Sequence, residues 1–344
     1  MKDICVKIFN LRICLATAKW IMLLVVVDGY DIIKEIKKSF IDGRDNMSDI
    51  KLFKIHNGVE ELPATWASLE RELQTLIEKN MPILFGVTFL KSEYVTSNGG
   101  RMDSLGIDEN NCPVIFEYKR ASNENVINQG LFYLDWLLDH KADFELLVMK
   151  TLGKEYSDKL DWSMPRLICI AGDFTKYDEY AVKQINRNID LIRYKKFGEE
   201  LLMFDLINSN VATPINNVNE EKVSKQSTDK TFDDQLETTS EKLRELYASI
   251  RNYILALGDD VTENKLKLYS AFKKIKNIVC VEVRMKSIML YLRLNPEEIT
   301  LENGFTRDVS EIGHWGTGDL EVTIKDTQDF EKAKEYIDRA YEMN

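Results

Sequence analysis

Histidine, paired cysteine, glycine, proline and long apolar runs are all scarce in this chain of 344 residues. The three histidines, His56, His140 and His314, show no metal-ligand spacing, so zinc and other His-based centres are not expected. The five cysteines (Cys5, Cys14, Cys112, Cys169, Cys280) are scattered with no C-x-x-C, which reads as reduced thiols in a cytoplasmic protein. A metal, if used, must be held by carboxylates, which points to magnesium or manganese. Six prolines and 16 glycines exclude collagen-like and proline-rich classes. The longest apolar run, WIMLLVVV at 20–27, is far below the roughly 20 residues that span a bilayer, so no membrane association is expected. It follows Lys2, Lys7 and Arg12 as a signal-peptide core would, but the next residues, DGYDII, offer no small-residue cleavage site. Residues 1–46 therefore read as an extension ahead of a natural start at Met47, MSDIKLFKI.

What is present is an ordinary globular balance, 44% hydrophobic and 30% charged, which rules out wholesale disorder. The net charge of −11 argues against coating nucleic acid by bulk charge and leaves a local basic cleft open. The chain divides into 1–46, a first domain at 47–207, a polar Asn-rich linker at 208–239 and a second domain at 240–344. Periodicity predicts a helix over 66–79, with Trp66, Leu69, Leu73, Leu76 and Ile77 on one stripe. Strands follow at 87–96, 100–108 and 112–119, the last two joined by the turn DENN as an antiparallel hairpin. Helices are expected at 124–140, 144–152 and 177–186, and buried strands at 166–171 and 189–194. The order α-β-β-β-α-β-α-β makes a mixed sheet with helices on its faces. The second domain reads as a small α+β unit, with helices at 241–257 and 330–341 and strands over 278–294 and 318–324.

The hairpin GRMDSLGIDENNCPVIFEYKR carries the chemistry. Alternation puts Glu117 and Lys119 on one face, and pairing about the turn sets Asp103 opposite Phe116 or Glu117. Two adjacent carboxylates repel unless a cation lies between them, and magnesium would satisfy both while a lysine orients a water beside a phosphate. On charge alone, the same carboxylates could simply pair with Lys119, Arg101 and Arg120 on a solvent face.

The D-x13-E-x-K pattern resembles the PD-(D/E)xK nuclease superfamily, the restriction-endonuclease-like fold. The helix segment LEREL supplies the glutamate that family expects, as Glu70 or Glu72. Glu70 lies nearer the apolar stripe, about 55° from its centre against about 105° for Glu72 at 100° per residue, and is favoured. Downstream, Gln129 and Tyr133 in QGLFY match the Q-x-x-x-Y motif of RecB-like nucleases. Over 66–196 the chain is similar to the catalytic half of NucS-like mismatch endonucleases, with Met102 where the motif usually has proline. The resemblance implies that Asp103 and Glu117 bind the metal, aided by the Tyr118 carbonyl and Glu70. Lys119 then serves the water, while Gln129 and Tyr133 support the site. It also implies a DNA substrate and a homodimer, since related nucleases cut two strands. Arg101, Arg120, Lys183, Arg187, Arg193, Lys195 and Lys196 are the candidate phosphate contacts, and the lysine-rich stretch KLKLYSAFKKIK at 265–276 reads either as another or as a solvated helix face. The segment RDVSEIGHWGTGDLEV at 307–322 lacks the lysine and Ser/Thr of a P-loop and reads as a hairpin entry loop. Residues 241–344 resemble a domain of unknown function often labelled "predicted transport protein"; nothing in the sequence supports transport. Together these features read as a metal-dependent nuclease, with a catalytically inactive nucleic-acid- or protein-binding module of the same fold as the alternative.

Overall fold

A computed structural model describes residues 50–55, 58–67, 69–120, 125–212, 231–314 and 316–344. The extension at 1–46, its apolar run, the Met47 start, His56 and most of the polar linker lie outside the described residues.

A short hairpin of β1 (Leu52–Lys54) and β2 (Glu60–Leu62) leads into β3 (Ala64–Thr65) and α1 (Glu70–Phe85). Helix α1 buries Leu73, Ile77, Met81 and Phe85, four residues apart, and only Gln74 interrupts this apolar face. It starts later than the periodicity predicts, because Leu69 is still extended. Trp66 and Leu69 therefore fall off the helix and are exposed, as is Leu76. It also runs on past Lys79, through a kink at Asn80, to a left-handed Gly86 cap whose N–H bonds Met81 and Pro82 carbonyls.

An antiparallel meander follows: β4 (Val87–Val95), β5 (Arg101–Asp108) and β6 (Pro113–Lys119). Helices α2 (Val126–Asp139), α3 (Lys141–Thr151) and α4 (Lys154–Asp158) then cross to β7 (Arg166–Ala171), which pairs parallel to β6. Helix α5 (Lys176–Lys183), closed at its start by a Thr175–Asp178 capping box, returns to β8 (Asn188–Phe197), parallel to β7, and β9 (Leu201–Asn210) closes the edge. The order is β3-β8-β7-β6-β5-β4, with β9 on β8. One sheet face packs on α1 through Val114, Phe116, Tyr118, Ile168 and Tyr194. The other packs on α2 and α3 through Ile115, Leu134, Leu137, Leu167 and Leu191. The parallel strand β7 is buried throughout, as its unbroken apolar run requires.

The second unit begins with α6 (Phe232–Thr238) and α7 (Glu241–Leu255). Strand β9 reaches Asn210 and α6 is held by a Thr231–Asp234 capping box, so both ends of the stretch read as linker carry regular structure. Strands β10 (Thr262–Lys265), β11 (Ser270–Lys273), β12 (Asn277–Val283), β13 (Ile288–Leu292), β14 (Thr306–Asp308) and β15 (Leu320–Ile324) form an antiparallel sheet ordered β10-β11-β12-β13-β15-β14. Helix α8 (Thr327–Met343) closes the chain and packs with α7 on one sheet face. The protein is thus a mixed sheet flanked by helices, followed by an antiparallel α+β unit.

The stretch at 265–276 is strand and turn, not a helix face. It forms the end of β10, then β11 and the turn after it, and four of its five lysines make the following contacts. Lys265 pairs with Asp233, Lys273 is buried near Asp190, Lys274 bonds the Tyr341 carbonyl and Lys276 bonds the Ile83 carbonyl. Of the GHWGTGD segment, Gly316 and Thr317 lie on Cys280, with the Thr317 N–H donating to Cys280 Sγ, in the connection from β14 to β15.

Candidate active site

The β5–β6 register runs from Ile107↔Pro113 to Ser104↔Phe116 and, continued one residue, sets Asp103 opposite Glu117. Asp103 itself has no ladder partner on either side, because the β4–β5 register passes from Ser92↔Ser104 to Tyr94↔Met102. Side chains and one amide hold it instead. Its N–H donates to Glu117 Oε1 at 3.3 Å, its carbonyl accepts from Gln74 Nε2 at 2.9 Å, and its Oδ2 accepts the Tyr118 N–H at 3.0 Å. Glu93, which the register also skips, has a left-handed backbone (φ 54°), a strained conformation for a residue with a side chain. Its carboxylate pairs with Arg101 at 2.7 Å.

Glu117 is 0% exposed, and its Oε2 has no hydrogen-bond partner among the described residues. Burial, and then the charge of Asp103, push the Glu117 carboxyl up to about 9. Burial likewise raises Asp103, against the Tyr118 N–H and Lys119. Lys119 Nζ, one step along the strand, donates to the Tyr118 carbonyl at 2.8 Å and lies 3.5 Å from Glu70 Oε1. Glu70 also accepts the Arg120 N–H at 3.3 Å. The helix glutamate thus sits beside the lysine and contributes its charge to Asp103 from there, while Glu72 faces away to Lys196. Among the described residues no group of three or more His, Cys, Asp or Glu side chains forms a ready metal cage. A carboxylate pair, Glu117 buried and Asp103 half-buried, with one oxygen unpartnered among the described residues, nonetheless fits a hard divalent cation that keeps several waters. Asp103 and Glu117 are the residues that could hold it.

The Q-x-x-x-Y pair acts at the entry to β5. Gln129 Nε2 donates to the Tyr133 hydroxyl at 3.3 Å, and that hydroxyl accepts the Arg101 N–H at 3.2 Å. A Cβ on Gly100 would lie 2.6 Å from the Tyr133 ring, so only glycine lets tyrosine clamp the strand two residues before Asp103.

The basic residues separate. Arg120, Lys183 and Arg187 are exposed, and Lys183 lies over the Tyr180 ring. Arg101 is exposed but paired with Glu93, and Lys195 is partly exposed. Lys196 is tied to Glu72 and Glu199. Arg193 is corrected from a phosphate contact to an internal ion pair. It is 2% exposed and bonds Asp173 and Asp205, because β8 is an interior strand and its partner acids come from the β7–α5 connection and β9. Sequence reasoning missed Gln74, Glu78 and Glu93, whose only signal is a lone polar side chain on an apolar helix face and a residue left over by the register.

A profile of a domain of unknown function, DUF5655, matches residues 232–344, the second unit. An uncharacterized protein of Haemophilus influenzae is 31% identical over 308 residues, which cover 85% of this chain and 99% of that one. This chain belongs to the same family as that protein. Among solved structures, the chain is similar to one of a complex of EndoMS with double-stranded DNA, at 22% identity and a TM-score of 0.26, over 39% of this chain and 47% of that one. It is also similar to a repair endonuclease from Pyrococcus abyssi, at 20% identity and a TM-score of 0.25, over 37% and 48%. It thus spans about half the length of each of those two solved chains. Among the described residues no helix is long and apolar enough to cross a membrane.

Proposed function

We propose that this protein is a metal-dependent nuclease that hydrolyses phosphodiester bonds of DNA. The observation that carries the reading is the Asp103–Glu117 pair: a half-buried and a fully buried carboxyl placed together, with one Glu117 oxygen that no group among the described residues satisfies. A second carboxyl beside Asp103 is unfavourable in its charged form without a cation, and perturbed acids of this kind cluster at functional sites. Asp103 and Glu117 hold a magnesium or manganese ion. That ion, when bound, supplies an activated water and neutralises charge on the phosphate. Tyr118 fixes Asp103 through its N–H and Lys119 through its carbonyl, so the three motif residues move as one rigid piece. Lys119, positioned further by Glu70, offers its ammonium to the charge that develops on the phosphate in the transition state. Arg120, Lys183, Arg187 and Lys195 are the remaining candidates for contacts to the nucleic-acid backbone.

The test is cleavage of single-stranded, duplex and branched DNA by the full chain with magnesium or manganese, beside Asp103→Asn and Lys119→Ala. Metal-dependent cleavage by the wild type, lowered at least about 10²-fold in both variants, is expected from the loss of a metal ligand and of a charge stabiliser. Cleavage that survives in both overturns the assigned site. Salt-dependent binding without metal-dependent cleavage replaces the enzyme by an inactive binding module.

A further inference from the structure

On the α1 side of the sheet, directly behind the carboxylate pair, lies a second polar network that no motif covers. Gln74 is 6% exposed on a helix face otherwise built from Leu73, Ile77, Met81 and Phe85. A buried amide there is unfavourable unless its hydrogen bonds are made, so its partners reveal its purpose. Its two shortest bonds, both 2.9 Å, go from Nε2 to the Asp103 carbonyl and to Glu78 Oε1. Ser92 Oγ at 3.2 Å and Glu93 Oε1 at 3.4 Å flank the same nitrogen. Glu78 in turn accepts from Ser104 Oγ at 2.6 Å, and Ser104 is the residue after Asp103. The α1 helix therefore grips β5 at two consecutive residues, Asp103, which has no ladder partner, and Ser104, which pairs with Ser92 and Phe116.

We propose that Gln74, oriented by Glu78, is a positioning residue for the metal site: it fixes the main chain of Asp103 and thereby the place of its carboxylate. The inference rests on the nuclease reading above and deepens it. The left-handed turn at Glu93 takes that residue out of the β4 ladder, and Gln74 supplies from the helix the donor that Asp103 needs. Without it, the Asp103 carbonyl loses this bond, and the carboxylate is held only by the Tyr118 N–H. Groups that orient a metal ligand commonly change metal affinity by about 10–100-fold when removed.

The experiment measures manganese binding to the full chain by calorimetry, with thermal melts in chelator as the check on folding, for wild type, Asp103→Asn, Gln74→Leu and Glu78→Ala. Gln74→Leu is expected to melt cooperatively and bind manganese about 10–100-fold more weakly. Its cleavage midpoint shifts to higher manganese, while its rate at saturating metal stays near wild type. Glu78→Ala shifts binding in the same direction by less. If wild type and Asp103→Asn differ as the nuclease reading requires while folded Gln74→Leu binds as wild type does, the positioning role is wrong and the nuclease reading stands. If wild type binds no manganese, or Asp103→Asn binds it equally well, both fall. Should Gln74→Leu fail to fold, Glu78→Ala decides, and unchanged binding there overturns the proposal.

Discussion

The first sheet buries two acidic clusters at opposite ends of its strands. At the β6 C-terminal end, Asp103 and Glu117 face each other with one oxygen unsatisfied. At the other end, Asp190 lies inside a neutralised group. It accepts from Arg166 Nε and from Ser209 Oγ (2.5 Å), and Lys273 of the second unit stands 3.5 Å away. Burial alone would raise Asp190, but Arg166 and Lys273 outweigh it and hold the carboxyl below its ordinary value. The same burial acts on Glu117 with a carboxylate for a neighbour, and the carboxyl moves the other way. Burial alone therefore does not set the direction in which Asp190 and Glu117 shift; the charge of their neighbours does. The neutralised cluster also joins the two units. Arg166 Nη2 donates to the Ile275 carbonyl, the side chains of Asn110 and Asn277 bond each other, and Glu109 pairs with Arg293. The DUF5655 unit is thus docked at the end of the sheet away from the candidate site.

The largest effect expected follows from breaking the neutralised cluster. Asp190→Ala leaves Arg166 and Lys273 buried without their acid, and removing one partner of a buried pair costs about 3–5 kcal/mol. Denaturant unfolding of the full chain checks this. A loss below about 1 kcal/mol would mean that the cluster is hydrated in solution and that the comparison with Glu117 is empty.

The second expectation has the opposite sign. Glu117 is raised to about 9 from an ordinary 4.5, so the folded state keeps a proton that the unfolded state releases. Its contribution is present below the ordinary value and is lost as pH rises towards 9. Metal-free protein should therefore lose melting temperature between pH 5 and 9, and Glu117→Gln should flatten that slope. At pH 8 the variant should be the stabler of the two, with roughly 2–4 °C in melting temperature for each kcal/mol. Melts across pH in chelator measure it; a variant less stable than wild type at pH 8 would show that the Glu117 carboxyl is well satisfied.

Much of this was legible in the sequence because it depends on short-range pattern. The hairpin with Asp103, Glu117 and Lys119, the α2 pair Gln129 and Tyr133, and the buried run of β7 all follow from alternation or from i, i+4 spacing. The preference for Glu70 over Glu72 rests on a stripe that counts Trp66 and Leu69, which lie before the helix; the two glutamates pair with different lysines, Lys119 and Lys196. What was hidden depends on long-range placement. Arg193 alternates like a surface residue, but its acids, Asp173 and Asp205, come from other parts of the fold. Gln74 looks like any helix-surface glutamine until the start of α1 at Glu70 fixes its phase. The lysines of 265–276 suggest a cationic surface until β11 buries the SAFK run against the first unit.

That last case gives the smallest expected effect. Lys265 is held by Asp233, and Lys276 is half-buried on the Ile83 carbonyl, with burial lowering its ammonium from the ordinary value. Both are already engaged, whereas Lys183 and Arg187 are exposed, with Lys183 over the exposed Tyr180 ring. Each phosphate contact contributes about 0.7–0.9 to the slope of log affinity against log salt. Lys183→Ala and Arg187→Ala together should lower that slope by about 1–2 for a DNA oligonucleotide, and Lys265→Ala with Lys276→Ala should leave it unchanged. Fluorescence anisotropy from about 50 to 200 mM salt resolves the difference. Arg187 directly precedes Asn188, which pairs with Arg166 at the docked end, so a fall with either pair places the nucleic-acid contact towards that end of the sheet, and a fall with the second pair alone moves it from α5 to the second unit.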